Sequence, residues 1–78
     1  MNTQKIKDLT ADNLSLDALG LPKDETMLRF FPEARQAAIT MMEQSGIFHS
    51  IPPEIQHLVI GFFIIGYVRK AAENWRPW

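Results

Sequence analysis

Eleven residues in a row, Leu58 to Val68, form an apolar run whose polar neighbours are Gln56 and His57 on one side and Arg69 and Lys70 on the other. Pro53 suits a first helical turn and Glu54 complements its dipole, so a helix is predicted from 53 to about 74. Its 22 residues would span roughly 33 Å. At about 100° per residue, Leu58, Phe62 and Ile65 fall near one line, Val59 and Gly66 near a second, Ile60, Phe63 and Tyr67 near a third, and Gly61, Ile64 and Val68 near a fourth. Every face is apolar at mid-length, which predicts a helix that needs covering on all sides.

Upstream the apolar spacing is helical but weaker. Ala34, Ala37, Ala38, Met41 and Met42 follow the 3, 4, 7, 8 spacing of one face, with Glu33, Arg35, Gln36, Thr40 and Glu43 elsewhere. Pro32 in a helix interior loses a hydrogen bond and clashes with the preceding turn. Two helices are therefore expected, 25 to 31 capped by Asp24 and 32 to 44 ending near Gly46, with one kinked helix as the alternative. A first short helix is expected from Ala11 to Leu19, with Thr10 as N-cap, Gly20 at the C-cap and Ser15 facing solvent. Residues 1 to 9 hold Ile6 and Leu9 as their apolar groups apart from the initial Met, and are expected to fray. Between helices, Ile47, Phe48 and Ile51 are too large and apolar for a short loop and are expected to turn inward.

The fold class expected is all-α: one domain, residues 1–78, in which three to four helices wrap a long buried C-terminal helix. At 78 residues and 9.0 kDa such a domain has a thin core and gains from disulfides, a metal or oligomerisation. The chain has no cysteine. The short N-terminal helices also offer too little apolar surface to enclose a rod of that length, so a homodimer or higher oligomer is expected. Gly61 and Gly66 each cost about 1 kcal/mol relative to Ala within a helix, which points to something packing against the backbone there. Their spacing of five puts them about 140° apart, so two different neighbours are implied rather than one GxxxG seam. Gly61, Phe62, Ile65 and Gly66 are the candidate self-association residues.

Charge narrows the function further. Eight basic and nine acidic residues give a net charge of −1 without clusters of like sign, which disfavours nucleic acid as the ligand. The helices that could serve as DNA-recognition helices begin Pro-Glu, acidic where phosphates would lie. No secretory h-region is visible before Leu21, and a cytoplasmic setting in a bacterial or phage genome is expected. His49 and His57 are spaced as a loop residue and a helix-surface residue rather than as metal ligands. Ser15 lacks the preceding Asp of a carrier-protein Asp-Ser-Leu site, since Leu14 stands there. No nucleophile, acid–base pair or phosphate loop emerges, so no enzyme activity, cofactor or metal is expected.

The expected function is a small protein-binding module: an adaptor, inhibitor or regulatory subunit whose partners are itself and one other protein. Its candidate contact residues are Phe30 and Phe31, Met41 and Met42, and the aromatic tail at 75–78 with Trp75, Arg76 and Trp78, because Trp and Arg concentrate in binding hot spots. The alternative is a membrane-associated protein anchored by the last helix, whose tryptophans would suit an interface. A dimeric DNA-binding regulator is the third.

Overall fold

The computed structural model describes residues 6–75, and among them it is all-α. Three helices occur, α1 (Leu16–Leu19), α2 (Glu25–Gln44) and α3 (Pro53–Asn74), with a 3₁₀ turn at Phe48–Ser50 before α3. Helices α2 and α3 form an antiparallel hairpin: Tyr67 of α3 reaches Glu33 of α2, and Trp75 lies beside Arg29. The predicted span of α3 is that observed.

Helix α2 runs unbroken through Pro32, correcting the expectation of two helices. The reason lies in phase. Met27, Ala34, Ala38 and Met42 are all buried and keep one helical face across the proline, which itself points to solvent. Burial of that face offsets the missing hydrogen bond. Pro32→Ala should therefore raise stability, by about 1–3 kcal/mol, read as a higher urea midpoint at unchanged slope.

The core comprises Leu9, Leu14, Leu16, Met27, Ala34, Ala38, Ile39, Met42, Phe48, Ile60, Ile64 and Val68. Ala34 and Ala38 are fully buried, so the small-residue face of α2 lets α3 approach closely. Phe48 turns inward as expected, but Ile47 is 70% exposed.

The segment before α1 departs most from the sequence reading. Helix α1 starts at Leu16, not Ala11, and Ser15 is its N-cap, its Oγ accepting from Ala18 N at 3.1 Å. Gly20 closes the helix in the left-handed region, φ 68°. Residues before it form a turn at 11–13 and irregular backbone on either side, held by side chains that compete for backbone groups. Asn13 Oδ1 accepts from Thr10 N at 2.7 Å, and Asn13 Nδ2 donates to the Asp8 carbonyl at 2.8 Å. Arg35 reaches across from α2, Nε donating to the Leu14 carbonyl at 3.0 Å and Nη2 donating to that of Ala11. Leu9, expected in a frayed end, is fully buried.

One buried polar residue accounts for that. Gln56 has no exposed surface. Its Oε1 accepts from Leu9 N at 2.9 Å, and its Nε2 donates to the Ile51 carbonyl at 2.8 Å, with longer contacts to the Phe48 carbonyl and Asp8 Oδ1. It joins the N-terminal segment, the 3₁₀ turn and the start of α3 in one network with no buried polar side-chain atom unpaired. His57 extends the seam: Nε2 lies 2.9 Å from the Lys7 carbonyl and Nδ1 3.3 Å from that of Ala18.

Candidate functional site

Helix α3 is buried on one side, not all round. Ile60, Ile64 and Val68 face α2 with at most 4% exposure, whereas Phe62 is 70% and Leu58 55% exposed. Ile55 and Val59 are also exposed, and Gly66 lies open between them and the charged end. At about 100° per residue Ile55, Val59, Phe62 and Gly66 fall within roughly 40° of one line, opposite the buried row. This is a continuous apolar stripe on the outer face.

The stripe is notched. Leu19, Leu21, Leu58, Gly61, Phe62 and Ile65 line a cleft of about 150 Å³ between α1 and α3. Gly61 is buried, yet a Cβ built on it would meet nothing within 4 Å, and the same holds at Gly66. Of the two neighbours expected at these glycines, neither is supplied within 4 Å by the chain itself. Drug-sized ligands take clefts of about 300–1,000 Å³, so this one has room for a single side chain.

No family model matches this chain, and no curated protein or solved structure is similar to it.

The other candidate residues separate. Met42 is in the core, so it offers nothing to a partner, and Phe30, Phe31 and Met41 are half-buried against that core. Trp75 is 46% exposed with the Arg29 guanidinium 4.8 Å from its ring centroid, a cation–π pair that closes the open end of the hairpin. A cleft of about 300 Å³ lies there between Arg29, Phe30, Ala72 and Trp75. Arg76 and Trp78 lie outside the described residues. A larger open groove, about 520 Å³, runs between Pro22, Met27, Ile65, Val68 and Ala72, with Asp24, Arg69 and Glu73 among its charged lining. Among the described residues no three of His, Asp and Glu converge on a metal position.

Electrostatics at the site are sparse. Among the described residues the one ion pair is Lys23 with Asp17, which is exposed. Tyr67 Oη donates to Glu33 Oε2 at 2.7 Å, and that bond, with desolvation and the carboxylate charge, raises the phenol above its ordinary value near 10. The neutral phenol is the form that bonds, so this contact is intact at neutral pH and lost as pH rises through the raised value. The chain has a single tyrosine. Its tyrosinate absorbance should titrate above 10 and fall back toward 10 in Glu33→Ala; equal midpoints would show the bond is unpopulated in solution.

Sequence reasoning missed Gln56 as a structural centre and Leu19 and Leu21 as walls of the cleft. Gln56 carried no hydropathy signal, being the polar edge of an apolar run. The leucines could have been found from Gly20, which fixes the chain's turn and sends both beside α3.

Proposed function

We propose that this chain is a non-enzymatic helical module that works by protein–protein contact, with a second copy of itself covering the outer face of α3. The observation that carries this reading is the unbroken stripe Ile55, Leu58, Val59, Phe62 and Gly66, exposed along a helix whose opposite face is already packed. Contiguous exposed apolar surface rimmed by charge marks an interaction site. Glu54 at one end and Arg69, Lys70 and Glu73 at the other supply the rim. A heterologous partner of an adaptor, inhibitor or regulatory subunit would meet the Arg29–Trp75 corner, where a cation and an aromatic ring are presented together. The test is thermal melting over a wide range of protein concentration. A self-associating fold melts higher as concentration rises, and a concentration-independent midpoint would count against the reading.

A second reading, attachment to a membrane surface, is favoured by the same exposed face and by the length and hydropathy of α3, which meets the criteria for a span. Spanning would strip Ile60, Ile64 and Gln56 from the rest of the chain, so the membrane form of this structure is one lying on the surface. Flotation with anionic and zwitterionic vesicles separates the two. Recovery with vesicles, abolished by Phe62→Ser, would assign the stripe to lipid; retention in the soluble fraction supports self-association.

A further inference from the structure

We infer that two copies associate antiparallel along α3, about a twofold axis between Gly61 and Phe62, each Phe62 ring entering the other's cleft beside Leu19 and Leu21. The inference rests on the self-association reading and adds its geometry. Phe62 is the most exposed large apolar residue of the helix, and it stands next to a cleft sized for one side chain. The cleft exists because position 61 has no side chain: a Cβ there would project into empty space. Knob and hole are therefore neighbours on one surface, and a twofold operation makes that surface complementary to itself.

Charge selects the direction. Glu54, Leu58, Ile65 and Arg69 lie on the same flank of α3 as the cleft, within roughly 60° of one another. In a twofold antiparallel pair like flanks meet, so an axis between 61 and 62 places Leu58 against the partner's Ile65 and Glu54 against the partner's Arg69, twice over. Neither Glu54 nor Arg69 is ion-paired among the described residues. A parallel pair would instead keep equal levels together, leaving Glu54 about 22 Å along the axis from the partner's Arg69 and aligning the two helix dipoles side by side.

The absence of cysteine makes the direction measurable, because one introduced thiol is unique. Glu73→Cys carrying a spin label lies 23 residues in register from its own copy in the antiparallel pair, a separation of about 35 Å at 1.5 Å per residue. In a parallel pair the labels would be roughly 10 Å apart, the interaxial distance. A distance near 35 Å supports the inference. A distance near 10 Å would overturn it while leaving self-association standing, and no dipolar coupling at any concentration would remove both. Gly61→Ala supplies the second arm. It should leave the monomer folded and weaken the dimer on the order of tenfold by placing a methyl group where the partner's ring would pack; an unchanged dissociation constant would show that Phe62 docks elsewhere.

Discussion

Gln56→Leu should lower stability by about 3 kcal/mol or more, a fall in melting temperature of roughly 12–24 °C for a domain of this size. Leucine nearly matches the volume, so packing is not what changes. What changes is that the Leu9 N–H and the Ile51 carbonyl, bonded to Gln56 at 2.9 and 2.8 Å, lose their partner away from water. Each buried backbone group left unsatisfied costs about 1–3 kcal/mol. Gln56→Glu should be worse still at neutral pH, since a carboxylate would face the Ile51 and Phe48 carbonyls, and should recover partly in acid, where a protonated carboxyl can donate. Melting curves at two pH values test both. A Leu variant with wild-type stability would mean that the segment around Leu9 is not anchored through this residue in solution.

The second large effect distinguishes the two faces of α3. Ile64 is fully buried against α2, and Ile64→Ala should cost about 2–5 kcal/mol, the range for truncating an aliphatic core residue. Phe62, two residues away and 70% exposed, makes little contact within one copy. Phe62→Ala should leave the monomer's denaturant midpoint nearly unchanged, measured at concentrations low enough to dissociate any dimer. Urea titrations with circular dichroism report both. Equal losses at the two positions would show that the helix is covered on both faces by its own chain.

The contrast between those residues marks where the sequence stopped being legible. The start of α3 was readable from Pro52-Pro53 and Glu54, and its end from the return of charge at Arg69 and Lys70. The inward face was not, because Ile60 and Phe62 are equally apolar and the pattern assigns them no different roles. What separates them is Gln56, which turns its side of α3 toward Leu9 and the 3₁₀ turn; its contacts to Leu9 and Asp8 are 47 and 48 residues away in sequence. Pro32 misled in the opposite way. Its local penalty is real, but Met27, Ala34, Ala38 and Met42 hold one face through it, and tertiary burial outweighs a single propensity term. The start of α1 was misplaced because Arg35 takes the Leu14 and Ala11 carbonyls, which a helix from Ala11 would have used. Of the candidate site, Phe62 and Gly61 were legible as a side chain and a gap on an over-apolar helix. That they adjoin one another on an uncovered surface depends on where Leu19 and Leu21 lie, which is a property of the fold.

Self-association through the outer face of α3 is tested most directly by sedimentation equilibrium in buffer without detergent, comparing the wild-type chain with Phe62→Glu. The wild type should approach twice 9.0 kDa as concentration rises, while the variant stays at 9.0 kDa with the same helical circular dichroism. A wild-type chain that remains at 9.0 kDa throughout, or a variant that dimerises equally well, would contradict it.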